Sequence, residues 1–392
     1  MEIPLATPLT DPSSRLSWVF RIDIKVGAWR HADPPIGAAC FGAPSGQITM
    51  DAFFEFEKPI VSLEKKLQDL RELGRQEGVD FAHEIAVLER KVLSLIDETY
   101  AKLTPWQKVQ LSRHPARPYT RDYVDLLFPD FLELQGDRTF GDDQAILAGV
   151  ATWPPPGSAD DPSVTGDDRT PVLILGHQKG RTTKQKMERN FGMAKPEGYR
   201  KCIRLLELAE RSRMPVLTFI DTPGAYPGLE AEERGQAAAI AESIECMFRL
   251  SIPSVAVVIG EGGSGGALAI GVANSVLMQE YSIYSVISPE SCAAILWSDS
   301  TLAERAAEKL KLTPNELFKL GVIDGIIPEP KGGAHRNPTL AADLLRQALV
   351  KHLEPLIKTG RKNPKKLMMD RIQKFRAMGQ SALAHAPISA GA

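Results

Sequence analysis

The residues best suited to chemistry in this chain lie in two short turns. One is Gly260-Glu-Gly-Gly-Ser-Gly-Gly266, five glycines in seven positions, set between the apolar run Val255 to Ile259 and the small apolar Ala267-Leu-Ala-Ile-Gly271. Glycine allows positive φ angles and lets a ligand approach the main chain where a Cβ would block it. Read as strand, tight turn and helix start, the stretch aims the free N–H groups of a first helical turn, and the positive end of the helix dipole, at one point. Such a point favours a phosphate, a carboxylate or an oxygen that becomes negative during a reaction. The second turn is Asp221-Thr-Pro-Gly-Ala-Tyr-Pro-Gly228, which follows the apolar Val216-Leu-Thr-Phe-Ile220.

Taken alone, the glycine turn fits four readings. Gly260-x-Gly262-x-x-Gly265 matches the dinucleotide fingerprint, with Glu280 twenty residues on, where a ribose-binding acid is expected. Gly262-x-Ser264-x-Gly266 matches the nucleophile elbow of a serine hydrolase, with Asp324 and His335 following in the required order. The third reading is a backbone oxyanion hole with no nucleophile. The fourth is a turn that only packs a helix closely on a strand. The dinucleotide reading weakens because its turn belongs after the first strand of a nucleotide-binding unit, whereas this one comes after a second special turn. A GTPase reading of Asp221-Thr-Pro-Gly224 fails, because Gly180-Arg-Thr-Thr-Lys184 lacks the phosphate-loop spacing.

Both turns need strands and helices to hold them. The chain has 392 residues, 43% hydrophobic, a formal charge of −2 and a pI near 6.4, enough for a core and unlike a general nucleic-acid binder. No apolar run reaches bilayer length, and Cys40, Cys202, Cys246 and Cys292 stand singly, so no zinc or disulfide framework is indicated and a reducing cytoplasm is the expected home. Residues 1–49, interrupted throughout by proline and glycine, are expected to be a disordered extension. Residues 50–111 carry Ile60, Leu63, Leu67 and Leu70, then Ile85, Leu88, Val92 and Leu95, the spacing of a helical hairpin. Residues 112–357 form the main α/β domain. Strands are expected at 145–153, 172–175, 216–220, 255–259, 275–278 and 281–287, helices at 196–213 and 231–249, and a further helix after the capping Ser288. The Pro/Gly-rich stretch from Pro154 to Asp168 reads as a surface loop, and 358–392 as a basic, flexible tail whose Lys358 to Arg376 run forms at most a solvated helix.

The two turns occur in consecutive strand-turn-helix units, so neighbouring parallel strands would bring them to one sheet edge. At this point the residues resemble a family: the carboxyltransferase alpha subunit of bacterial and plastid-type acetyl-CoA carboxylase. The resemblance runs from about Phe54 to Leu356. It is carried by Arg113-His-Pro-Ala-Arg-Pro-Tyr119, Gly176-His-Gln-Lys-Gly-Arg181, Arg189-Asn-Phe-Gly-Met193, Pro196-Glu-Gly-Tyr-Arg-Lys201, the two turns themselves, Ala231-Glu-Glu-Arg-Gly-Gln236, Tyr284-Ser-Val-Ile-Ser-Pro-Glu290 and Ile326 to Asn337.

That resemblance implies a crotonase (ClpP-like) spiral of repeated strand-strand-helix units behind the N-terminal helical hairpin. It implies transfer of a carboxyl group from carboxybiotin to acetyl-CoA, giving malonyl-CoA for fatty acid synthesis. Biotin would be held covalently on a separate biotin carboxyl carrier protein, and ATP would be used by a separate biotin carboxylase. A carboxyltransferase beta subunit, often bearing a zinc ribbon, would complete an α2β2 heterotetramer and hold most of the acetyl-CoA; no metal is expected on this chain. The enolates formed from biotin and from acetyl-CoA both place negative charge on a carbonyl oxygen, so backbone donors suffice. The family's hole maps here onto Gly224 and Ala225 of one turn and Gly263, Gly265 and Gly266 of the other. Tyr226 is a candidate to line the biotin pocket. Lys179 and Arg181, within the basic stretch His177, Lys179, Arg181, Lys184, Lys186 and Arg189, are candidates to meet CoA phosphates or the carrier, a solvated loop being the alternative. Ser264 is expected to be small rather than nucleophilic. Two other classes remain open at this stage: a serine hydrolase using Ser264, Asp324 and His335, and an assembly subunit without catalytic groups.

Overall fold

The computed structural model describes residues 53–158 and 169–379. The expected extension at 1–49, most of the loop up to Asp168 and the end of the tail from 380 lie outside these residues. The chain first forms α1 (Lys58–Glu77) and α2 (Ala82–Tyr100). The first helix runs through Gly74 and stops at Gly78, whose φ of 68° only glycine adopts without strain, with its N–H returned to the Gly74 carbonyl. Ile60, Val92, Ile96 and Tyr100 bury the inner face of this hairpin against Leu111 and Tyr281 of the main domain. Buried Glu57 seats it further, accepting from the Tyr100 hydroxyl at 2.7 Å and the Phe54 N–H at 3.0 Å. The hairpin is thus an arm of one unit, Thr49–Ala392.

Then follow α3 (Pro105–Ser112), α4 (Thr120–Leu127), β1 (Leu132–Glu133), β2 (Ile146–Trp153), β3 (Thr170–His177), α5 (Thr183–Glu188), α6 (Pro196–Ser212), β4 (Val216–Thr222), α7 (Leu229–Glu233), α8 (Gln236–Arg249), β5 (Ser254–Gly263) and α9 (Ser264–Leu268). The chain continues with β6 (Ser275–Gln279), β7 (Ile283–Ser285), α10 (Pro289–Trp297), α11 (Ala303–Leu310), α12 (Pro314–Lys319), β8 (Gly325–Ile327), α13 (Pro338–Lys362) and α14 (Pro364–Ala377). The sheet runs β1-β2-β3-β4-β5-β6-β8, with β1, β2 and β3 antiparallel to one another in turn and the pairs from β3 onward parallel. Its central strands are buried along their length, which is why they read as unbroken apolar runs instead of alternating ones. One face packs Tyr199, Cys202, Leu205 and Leu206 of α6 and Met247 of α8; the other packs Tyr123 of α4 and Leu345, Leu349 and Leu353 of α13.

The longest strand, β5, does two jobs. Its first half pairs with β4 and β6, while Glu261, Gly262 and Gly263 pair with β7, and Gly262 also pairs with Thr222 after a register shift in β4. Gly260 lies between these two halves, where a Cβ would sit 2.4 Å from the Asp221 Oδ1. β5 thus serves two sets of neighbours in one eight-stranded sheet and runs straight into α9, in keeping with the strand-strand-helix units of the crotonase-type spiral expected above.

Three expectations change. The helix drawn at 231–249 is two, α7 and α8, because Gly235 at φ 80° breaks it. The strand drawn at 281–287 shortens to β7. The basic run is no flexible tail up to residue 377: α13 extends to Lys362, and α14 docks through buried Leu367 and Arg371. The Arg371 guanidinium donates to Asn274 Oδ1 at 2.8 Å, to Ser254 Oγ at 3.1 Å and to the Leu250 carbonyl, and Lys374 reaches Asp324 at 2.8 Å. A charge count alone cannot separate a solvated helix from one whose stems and a single guanidinium are buried.

Candidate active site

Because β4 and β5 are parallel neighbours, the turns that leave their C-terminal ends open on the same edge. The first is shaped by Thr222, whose hydroxyl accepts the Gly224 N–H at 3.1 Å and donates to the Gly224 carbonyl at 2.7 Å. Gly224 lies at φ 154°, which an L side chain rarely adopts. Its N–H is therefore engaged, and the donor left over is that of half-buried Ala225, which has no acceptor among the described residues. The second turn presses directly on the first. A Cβ on Gly263 would stand 2.1 Å from the Pro223 carbonyl oxygen, and one on Gly266 2.6 Å from the Ala225 nitrogen. No side chain caps α9 at its N-cap, and its first-turn N–H groups have no intrahelical acceptor, although the backbone of Gly266 faces the buried His177 imidazole. Gly265 differs: its Cβ would meet only Ile240 Cγ2, at an ordinary 3.5 Å. Ser264 stands exposed at φ 54°.

Beneath the turns lies a set of charges. Lys179, two residues past β3, holds Asp221 Oδ1 at 2.8 Å and Glu261 Oε2 at 2.6 Å. Asp221 Oδ1 also accepts the Glu261 N–H at 3.0 Å, and Arg113 Nε binds Glu261 Oε1 at 2.6 Å while its other nitrogens pair with Glu290. Burial works against the Lys179 charge, but the two carboxylates outweigh it and raise its pKa. Burial pushes Asp221 up, Lys179 only partly offsets it, and the like charge of Glu261 adds a smaller upward push. Glu261, with two cations, is held down despite its burial. Burial, helped by the Lys179 charge, pulls the fully enclosed imidazole of His177 down to about 3, so it is neutral at physiological pH.

The sequence candidates are thus sorted. Gly224, Ala225, Gly263 and Gly266 come together as opposed backbone, and Gly265 flanks them without being required for space. Tyr226 anchors the first turn, its N–H on the Ala194 carbonyl at 3.0 Å, with Gln236 Nε2 on its own carbonyl at 2.9 Å. Lys179 and Arg181 are committed to protein partners and not held open for a phosphate: the Arg181 guanidinium takes the Pro115 carbonyl at 2.9 Å and Asp122 at 2.5 Å and lies over the Tyr119 ring. His177 is sealed in, whereas Lys184 of that basic stretch remains 86% exposed. The hydrolase triad does not assemble. Asp324 accepts the Val276 N–H at the opposite, N-terminal end of the parallel strands, and His335 stacks on His114 beside Glu57 in the arm. Glu57, His114 and His335 bring three potential metal ligands within 4.8 Å of one another. However, His114 Nδ1 already accepts the Ala116 N–H, and Glu57 is engaged by Tyr100 and Phe54, so this cluster works as a fastening for the arm. Sequence reading passed over Thr222, Asp221 and Glu261 as individual residues; their place one to three positions before a turn glycine was the available signal.

Comparison with known proteins bears on the same residues. Residues 53–379 match the family model described as acetyl co-enzyme A carboxylase carboxyltransferase-like. A Thermus thermophilus protein named acetyl-coenzyme A carboxylase carboxyl transferase subunit alpha is 52% identical over 84% of this chain and 98% of its own length. A Ruegeria pomeroyi protein of the same name is 49% identical over 86% of this chain and 100% of its own. Among solved structures, transcarboxylase 12S is similar at 17% identity and a TM-score of 0.48, over 62% of this chain and 42% of that one.

Proposed function

The chain belongs to the acetyl-CoA carboxylase carboxyltransferase family as an alpha subunit, and from that premise we propose that its two opposed turns form a backbone oxyanion hole for carboxyl transfer. The family is biotin-dependent. The substrates of the proposed reaction are carboxybiotin, presented on a separate biotin carboxyl carrier protein loaded by a biotin carboxylase that uses ATP, and acetyl-CoA; the product is malonyl-CoA. The carboxyltransferase beta subunit, in an α2β2 assembly, supplies the rest of the site.

The observation that carries this reading is the pairing of the unspent Ala225 N–H with the uncapped first turn of α9, held at backbone contact by Gly263 and Gly266. Where charge develops on a carbonyl oxygen, such fixed donors stabilise it without reorganising, and no side-chain nucleophile is required. Nothing in the turns competes for the role, since among the described residues neither a histidine nor a carboxylate is hydrogen-bonded to Ser264. Tyr226, at the rim of the first turn, is the side chain proposed to line the biotin side.

The test is reconstitution. The purified chain alone should make no malonyl-CoA from carboxylated carrier protein and acetyl-CoA, and addition of the beta partner should restore turnover. Full activity from the isolated chain would refute the shared site, and a folded, complete complex that turns nothing over would refute the reaction.

A further inference from the structure

We propose that Lys179 is a positioning residue for this reaction: its ammonium locks the two turns in register by holding, on one nitrogen, the carboxylate that precedes each of them. The inference rests on the oxyanion-hole reading and adds the element that sets the hole's geometry. Asp221 and Glu261 both fall within the register shift between the Ile220–Val258 and Thr222–Gly262 pairs of β4 and β5, immediately before Thr222 and Gly262. Lys179 comes from the third neighbouring strand, so one charge ties the C-terminal ends of β3, β4 and β5 together. The tie is enclosed. The lysine side chain is 13% exposed, and Gly192 closes over its stem so tightly that a Cβ there would lie 2.8 Å from Lys179 Cγ. A phosphate has no approach to an ammonium so covered, which separates this role from ligand binding.

Removing the charge leaves two buried carboxylates facing one another, with Arg113 on the outer oxygen of Glu261 and the Arg117 guanidinium, itself paired with Glu329, acting on Asp221 without a direct ion pair. Their repulsion must spread the strand ends that carry Ala225 and Gly266, and the added negative charge opposes an oxyanion forming above them. Both effects fall on the rate of the chemical step and not on capture of either substrate.

The experiment compares Lys179→Met with Lys179→Met/Asp221→Asn in the assembled complex. For Lys179→Met, kcat should fall about a hundredfold, the scale of one lost oxyanion donor, with KM for acetyl-CoA and for carrier protein changed by less than about threefold. The double variant removes the repulsion and should regain about tenfold over the single one, whereas a residue that merely adds stability would give a second loss. Hydrogen exchange at 222–228 and 260–268 supplies a readout independent of turnover: it should quicken in Lys179→Met and slow again in the double variant. A rise in KM for acetyl-CoA with kcat intact, a further loss in the double variant, or unchanged exchange in those segments each overturns the positioning role. An inactive wild-type complex whose exchange pattern follows the expected order would instead count against the reaction and leave the lock standing.

Discussion

Three glycines of one turn should respond to the same substitution in different ways. In Gly266→Ala the new Cβ would lie 2.6 Å from both the Ala225 nitrogen and the Gly224 carbonyl carbon, roughly 1 Å inside carbon contact distance. Backbone cannot swing aside like a side-chain tip, so the first turn must move by most of that amount. A donor displaced so far from a bond of about 2.9 Å no longer makes it. The expected cost is that of one oxyanion donor, about a hundred- to a thousandfold in kcat, or about 2.7–4 kcal/mol of barrier. Gly263→Ala, with its Cβ 2.1 Å from the Pro223 oxygen, should do at least as much. Gly265→Ala meets only Ile240 Cγ2 at 3.5 Å, and in a helical turn alanine is favoured over glycine by up to about 1 kcal/mol. It should melt at or above the wild-type temperature and keep activity within about threefold. The assay is carboxyl transfer at saturating substrates in the reconstituted complex, after thermal melting and size exclusion confirm folding and assembly. Equal damage from Gly265→Ala and Gly266→Ala, or a folded and fully active Gly266→Ala, would refute the contact argument.

Ser264→Ala should retain activity within about tenfold, near 1.4 kcal/mol of barrier, and a dead but folded variant would restore a nucleophilic role for the hydroxyl. Arg371→Ala strands the Leu250 carbonyl and the Ser254 and Asn274 side chains, and should lower unfolding free energy by about 2–4 kcal/mol in urea titration; a change under about 0.5 kcal/mol would show that α14 is dispensable. His177 titrates at about 3 in the fold against 6.5 unfolded, so as pH falls the unfolded chain takes the proton first. Its contribution is intact above about pH 6.5 and declines by about 1.4 kcal/mol per unit below it, down to the folded pKa. Between pH 7.5 and 5 the wild type should therefore lose about 2 kcal/mol more than His177→Gln, and equal losses would place the imidazole elsewhere.

What the sequence disclosed and what it hid divide along a physical line. The unbroken apolar runs at Val216 and Val255 announced strands buried on both faces, and the capping Ser288 with Pro289 announced a helix start, because these signals are local to the backbone. The glycine turn was legible for the same reason, since crowding by another peptide leaves glycine as the sole solution at Gly263 and Gly266. Charges were not legible, because their partners come from distant strands. Lys179 reads in sequence as a basic residue beside a glycine pair, ready for a phosphate; only the fold brings it against Asp221 and Glu261. Arg371 was counted in a basic tail and turned out to be buried. Yet the same turns contained the missing clue. A carboxylate that closely precedes a glycine turn at a buried strand end cannot remain uncompensated there, so Asp221 and Glu261 together required a cation from elsewhere in the chain. The basic stretch opens with His177, the last residue of the neighbouring strand β3, and Lys179 just beyond it is the group within reach.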